Sequence, residues 1–308
     1  MMKRFGLCAV ALLAAACAPE AAKPAAAPTP VANATPQATP TPYGANKAAS
    51  GTFEHDGVTL YYETYGEGEP LLLIHGNGGS IGWMAAQIEH FKAHYKVIAM
   101  DSRDQGKSAD STTPITYEKM TDDLAALLDH LKAGPADVVG WSDGGIETLL
   151  LGVRHPDKVK KLVSMAANLE PSTQAIYPET DAWLKQMLGS VPADVAKSPE
   201  GKRLLKVAGM MTKEPNIAPN LLGKVAAPTL VLAGDHDLIQ LKHIVTIYEA
   251  LPNAQLQIFP DSLHTVPHDN PEVFNAAVDR FLSTPFKKRE RIPETMAALD
   301  KIGGELAK

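Results

Sequence analysis

Gly140-Trp141-Ser142-Asp143-Gly144-Gly145 is the stretch on which the reading of this chain turns. It directly follows the apolar run Asp137-Val138-Val139 and opens a helix-length segment from Gly145 to His155. A Gly-x-Ser-x-Gly sequence between a buried strand and a helix fits a sharp turn that presents a serine hydroxyl at the edge of a sheet. Glycines suit such a turn because neighbouring backbones come close only where no Cβ intervenes. The positive end of the following helix favours negative charge developing beside the serine. Ser142 is therefore the candidate nucleophile.

Working outward, short β-rich runs alternate with helix-length segments. Leu71 to Ile74, Val97 to Met100, Asp137 to Val139, Lys161 to Met165 and Thr229 to Leu232 are continuous apolar runs, as expected of strands buried on both faces of a parallel sheet. Val58 to Tyr65 alternates like a half-exposed strand, and Gln255 to Phe259 alternates as an edge strand would. Between them lie amphipathic stretches: Ile81 to His94, Tyr117 to Lys132, Gly145 to His155, Leu241 to Leu251 and Pro271 to Leu282. This predicts an α/β fold, a mostly parallel twisted sheet with helices on both faces. Residues 170–226 break the rhythm, with helical patterns and no convincing strand, and read as a helical lid inserted on the ligand-binding side of the sheet.

A serine nucleophile needs a base held by an acid. The turn predicts the chain order Ser, then Asp or Glu, then His. Pro260-Asp261-Ser262-Leu263-His264 follows the run ending in Phe259, which makes His264 the candidate base. Ala233-Gly234-Asp235-His236-Asp237 follows the run ending in Leu232 and offers two acids, Asp235 and Asp237, with Glu170 as an outsider. An acyl-transfer site also needs donors for the tetrahedral oxyanion. His75-Gly76-Asn77-Gly78-Gly79 leaves the run ending in Ile74, so the backbone N–H groups of Asn77 and Asp143 are the expected oxyanion hole. His75 reads as structural, and His268 as a helix-start or surface residue. With its amide so used, Asp143 keeps its side chain free, either to meet a substrate ammonium or to charge the helix N-terminus. Trp141 is a second candidate substrate contact.

From about Phe53 to Leu282 these residues together resemble the lid-bearing α/β-hydrolase family. Asp101-Ser102-Arg103-Asp104-Gln105-Gly106-Lys107-Ser108 is similar to the family's Asp-x-Arg-Gly-x-Gly-x-Ser loop, and His264 with Asp269 and Pro271 to its His-x₄-Glu-x-Pro. Asp104 departs from the pattern where glycine is usual; should the backbone be left-handed there, aspartate tolerates it better than most residues. The resemblance implies that the acid stands three residues after the strand-end glycine, which selects Asp237. The serine excludes the aspartate-nucleophile dehalogenases and epoxide hydrolases. The elbow is similar to that of amino-acid-ester and biphenyl-hydrolase-like enzymes, and parts of 71–108 to enol-lactonases and cofactor-free haloperoxidases. The implied activity is hydrolysis of a small-molecule carboxylic ester or lactone through an acyl-enzyme. Amide, aminoacyl or C–C bond hydrolysis and haloperoxidase-like chemistry are the enzymatic alternatives, and a binding protein on this scaffold is a further one. No cofactor or metal is implied.

The N-terminus reads differently from the rest. Lys3 and Arg4 precede an apolar run from Phe5 to Ala16, too short to span a bilayer and patterned like a secretory signal peptide. Leu13-Ala14-Ala15-Ala16-Cys17 resembles the lipobox of bacterial lipoproteins, although Ala14 stands where leucine is usual. The resemblance implies lipidation at Cys17 and anchoring to the periplasmic face of the envelope, with Ala18 favouring an outer membrane. Simple cleavage after Ala16 would instead leave a free periplasmic or secreted protein. Detergent-phase partitioning that Cys17→Ser abolishes is the expected result of lipidation, and equal partitioning of both forms would sink it. Residues 18 to about 50 are rich in Ala, Pro and Thr, with little apolar surface to offset ordering. The expected organisation is a signal peptide (1–16), a lipidated Cys with linker (17–50), a hydrolase core (51–169 and 227–286) around the lid (170–226), and a C-terminal helical extension (287–308). Cys8 and Cys17 are the only cysteines, so the folded part has neither disulfide nor thiolate nucleophile. A formal charge of −6 gives no sign of nucleic-acid binding.

Overall fold

A computed structural model describes residues 42–306. The expected signal peptide, Cys17 and the expected linker as far as residue 41 lie outside the described residues. Among the described residues eight strands form one sheet: β1 (Ser50–His55), β2 (Val58–Tyr65), β3 (Glu69–Ile74), β4 (Tyr95–Met100), β5 (Ala136–Trp141), β6 (Val159–Met165), β7 (Thr229–His236) and β8 (Ala254–Leu263). Their order is β1-β2-β4-β3-β5-β6-β7-β8. β1, β2 and β4 pair antiparallel, and every other neighbouring pair is parallel.

Side-chain alternation explains why the apolar runs had to be continuous. Leu72, Ile74, Ile98, Met100 and Val138 face one core, whereas Leu71, Leu73, Val97, Ala99 and Val139 face the other. The first core is closed by α2 (Tyr117–His130), α3 (Asp143–Arg154) and α6 (Leu241–Ala250), through residues such as Leu124, Leu149 and Ile244. The second is closed by α1 (Ala85–Phe91) and α8 (Pro271–Ser283), through Ile88, Phe91, Phe274 and Val278. Burying each such side chain contributes about 1.5–3 kcal/mol, which holds the helices on both faces. Between β6 and β7 the chain forms α4 (Pro178–Gly189) and α5 (Pro199–Met210), with short 3-10 turns around them. The short α7 (Val266–Asp269) precedes α8, and α9 (Arg291–Leu306) ends the described chain. No helix among the described residues is long and apolar enough to cross a membrane.

Two features of the N-terminal part differ from the sequence expectation. Strand β1 was not foreseen, although Asp56-Gly57 between Phe53 and Val58 is a hairpin signal; both residues take positive φ, 45° and 70°. Residues 43–46, expected within the linker, pack against the sheet. Glu63 is buried and accepts the backbone N–H groups of Gly44 and Asn46 at 2.7 and 2.9 Å. Tyr43 packs edge-on against Tyr65, with ring centroids 4.9 Å apart. A buried carboxylate needs donors, and the segment 43–46 supplies two of them.

The sheet order fixes the site. The chain leaves β3 to form β4 on one side and then β5 on the other, so β3 and β5 flank a topological switch point. Ligands in open α/β sheets bind at such a crevice, beyond the strand C-termini. Ile74 and Gly140 are paired across it, so the loops after them emerge side by side.

Candidate active site

Ser142 lies between β5 and α3 with φ 59° and ψ −117°, a conformation that costs a non-glycine residue about 1–3 kcal/mol and needs rigid support. Support comes from the sheet: the Ser142 amide donates to the Met165 carbonyl at 2.8 Å. The flanking glycines are required by contact. A Cβ on Gly140 would stand 1.9 Å from the Gly144 carbonyl oxygen, and one on Gly144 would stand 2.3 Å from that of Ile74.

His264 follows β8 and reaches the serine. Its Nε2 lies 3.0 Å from Ser142 Oγ and its Nδ1 lies 2.7 Å from Asp237 Oδ1. A carboxylate can only accept, so Nδ1 carries the proton and Nε2 is left to accept from the serine hydroxyl. Asp237 is buried, and its oxygens also accept the N–H of Ile239 at 3.1 Å and of Gly234 at 3.3 Å. Those amides aim the carboxylate at the imidazole. The three sequence candidates Ser142, Asp237 and His264 are thus in one unbroken line of contacts.

Asp235 takes another task. It accepts the backbone N–H groups of Ser262 and Asp261 at 2.9 and 3.0 Å and pairs with His236 at 2.8 Å. Those amide bonds, that of Ser262 first, together with His236, pull its carboxyl down to about 2. It pins the bend at Asp261, φ 49°, that delivers His264. Glu170 accepts from the Ser172 hydroxyl.

Trp141 does not stand free to meet a substrate. It is only 4% exposed, and its indole N–H donates to the His264 carbonyl at 2.8 Å. His268 packs edge-on against it, with ring centroids 4.9 Å apart. Adjacency to Ser142 suggested a substrate contact, but the ring points back under the histidine loop and braces it.

The loop after β3 passes close to the serine: a Cβ on Gly76 would lie 3.1 Å from Ser142 Cβ. His75 is buried, with Nδ1 donating to the Gly76 carbonyl at 2.8 Å and Nε2 accepting the Ser102 amide at 3.1 Å. Burial holds it below the usual histidine range, so it is a neutral strut. Gly78 donates to Gln105 Oε1 at 2.7 Å, which ties this loop to the one after β4. Asp104 takes the left-handed φ of 61°, and its carboxylate meets Lys206 of α5 at 2.6 Å.

Asp143 departs most from expectation. Its side chain is not free at a pocket mouth but buried, 3% exposed. One oxygen accepts the Tyr117 hydroxyl at 2.7 Å and the other the Asn77 side-chain amide at 2.8 Å. Burial pushes its carboxyl up to about 6, against the opposing pull of the Asn77 and Tyr117 hydrogen bonds and of His264. Neither Tyr117 nor Glu147 was singled out from sequence. Glu147 is buried on α3 with neither carboxyl oxygen hydrogen-bonded, and burial, then Asp143 and Asp123, hold it well above the usual range and so neutral.

The chain is also similar to known proteins. The alpha/beta hydrolase fold family matches residues 69–212. RutD of Caulobacter sp. strain K31, whose name proposes carbamate hydrolysis, is 30% identical over 259 residues, spanning 73% of this chain and 96% of that protein. Serine hydrolase BPHL of Mus musculus is 28% identical over 250 residues, 74% of this chain and 84% of that one. Among solved structures, Est816, described as an N-acyl homoserine lactone degrading enzyme, has a TM-score of 0.66 at 25% identity and covers 75% of this chain and 100% of its own. Identity of this order, sustained along nearly the whole of a relative, goes beyond a shared architecture: this chain belongs to the α/β-hydrolase family.

Proposed function

We propose that this hydrolase cleaves a small carboxylic ester or lactone through an acyl-enzyme on Ser142, with His264 as base and Asp237 as its orienting acid. The observation that carries the reading is the line of contacts from Asp237 through His264 to Ser142 Oγ, at 2.7 and 3.0 Å. His264 Nε2 takes the serine proton as Oγ attacks the substrate carbonyl. The backbone N–H groups of Asn77 and Asp143 stabilise the tetrahedral oxyanion. His264 then returns its proton to the departing alkoxide, and water repeats the cycle to release the acid. Helices α4 and α5 act as the lid over this crevice. The lactone branch draws support from Est816, and the carbonyl chemistry from RutD.

The test is a panel of short p-nitrophenyl esters, N-acyl homoserine lactones, carbamates and aminoacyl amides, run beside labelling with a fluorophosphonate. Labelling of the wild type but not of Ser142→Ala, with kcat/KM highest on an ester or lactone, is the expected result. An unlabelled wild type, or turnover confined to amides, would overturn the reading.

A further inference from the structure

The Asn77 side-chain amide has two hydrogens and two partners. One goes to Asp143 Oδ2 at 2.8 Å, the other to the Val207 carbonyl at 3.1 Å. Val207 stands in the last turn of α5, where helix carbonyls lack an intrahelical partner and seek an outside donor. The same segment, continued to Glu214, holds the body at further places, among them Arg203 on Asp110 at 2.6 Å. Lys206 meets Asp104 and the Ser111 carbonyl, each at 2.6 Å. Glu214 accepts the Tyr117 amide at 3.1 Å. Tyr117 in turn donates its hydroxyl to Asp143 Oδ1. Two of the ties between segment 203–214 and the body, those through Asn77 and Tyr117, therefore converge on Asp143, the residue next to Ser142.

We propose that the Asn77 side chain couples the seating of α5 to the oxyanion hole, with Asp143 as its fixed acceptor, so that Asn77 and Asp143 act as positioning residues as well as backbone donors. The inference rests on Ser142 being the nucleophile and on the two amides beside it being the oxyanion donors. Their side chains are bonded directly to each other, so the two peptide planes cannot drift apart independently. When α5 is seated, the second hydrogen of the same amide is also held, and the Asn77 torsions are fixed from both ends. Lifting α5 frees one end and loosens the donor pair.

The device is tightest while Asp143 is ionised, because both carboxylate oxygens then accept with charge assistance, whereas a protonated carboxyl keeps one neutral acceptor and turns its other oxygen into a donor. The groups facing it are Tyr117 from α2, Glu147 from α3, Asn77 after β3 and His264 after β8. Glu147 is neutral, so the facing set leaves Asp143 as the carboxylate that titrates near pH 6. Protonation below that value weakens the latch. The Tyr117 and Asn77 hydrogen bonds hold its pKa down, so removing either moves the transition to higher pH.

The full chain serves for the test, with a chromogenic ester as substrate and a trifluoromethyl ketone as tetrahedral mimic. Asn77→Ala keeps the backbone N–H and still takes the fluorophosphonate to completion. Its kcat falls roughly tenfold or more while KM moves by less than about twofold, the signature of an interaction made in the transition state. Affinity for the ketone falls by a similar factor. Tyr117→Phe shifts the acid limb of kcat upward, whereas Glu147→Gln leaves it in place, and Tyr117→Phe carries the test should Asn77→Ala not fold. An Asn77→Ala enzyme with wild-type kcat, a change confined to KM, or a Tyr117→Phe limb at the wild-type position would each overturn the proposal. A wild type that takes no fluorophosphonate would instead remove the nucleophile reading beneath it.

Discussion

Ser142→Ala and His264→Ala each lower kcat by roughly 10³-fold or more on the best ester of the panel, because a serine without its base, or a base without its serine, leaves no activated nucleophile. Under the proposed mechanism the two changes are parts of one event, the transfer of a single proton across the 3.0 Å between Oγ and Nε2. The double variant is accordingly no slower than the worse single one, since the second substitution removes nothing that still operates. What survives is the oxyanion loop and substrate binding. Neither change disturbs the scaffold greatly. The elbow is held by the Ser142 amide on Met165 and by glycine contacts, and the histidine loop by the indole of Trp141 on the His264 carbonyl. Melting temperatures within a few degrees of wild type should accompany the loss. A variant that keeps more than about a tenth of the wild-type kcat would show that the line of contacts is not the reacting one.

Much of this was readable from the chain because it rests on local signals. The apolar runs are continuous because both sheet faces are covered, and the hexapeptide at 140–145 needs its glycines for contacts a few residues away. What escaped depends on residues distant in sequence. Glu63 sits in an alternating strand and reads as outward-facing, until the strap at 43–46 folds over it and takes both its oxygens. Asp143 reads as a free side chain because its partners, Tyr117 and Asn77, arrive from α2 and from the loop after β3. Trp141 suffers likewise: its neighbour in sequence is the serine, but its hydrogen bond is 123 residues away. Glu147 could not be placed from periodicity because α3 is buried almost all round, so there is no polar face to which a glutamate would belong.

One pair of variants separates the roles of Asp235 and Asp237 most sharply. Asp237→Asn should lower kcat by about 10⁴-fold, because an amide facing Nδ1 favours the wrong imidazole tautomer and leaves Nε2 unable to accept the serine proton. The fold should tolerate it, since the Asn oxygen, at the Oδ2 position, can still take the Gly234 amide. Asp235→Asn removes a different set of bonds, those from the amides of Ser262 and Asp261 and from His236. Its effect on kcat should be mild, within roughly an order of magnitude, through a looser approach of His264 and not through the proton path. Stability carries the signature of Asp235. Its folded pKa, about 2, lies below the ordinary carboxylate value of 3.8. The ionised form is therefore favoured in the folded state, and its stabilisation is present above pH 4 and lost as pH falls toward 2. The difference in melting temperature between wild type and Asp235→Asn should shrink over that window, while Asp237→Asn shows its defect in kcat at neutral pH. Were Asp235→Asn the slower enzyme at pH 7, the carboxylate 2.7 Å from His264 would not be the acid that orients it, and the assignment of Asp237 would fall.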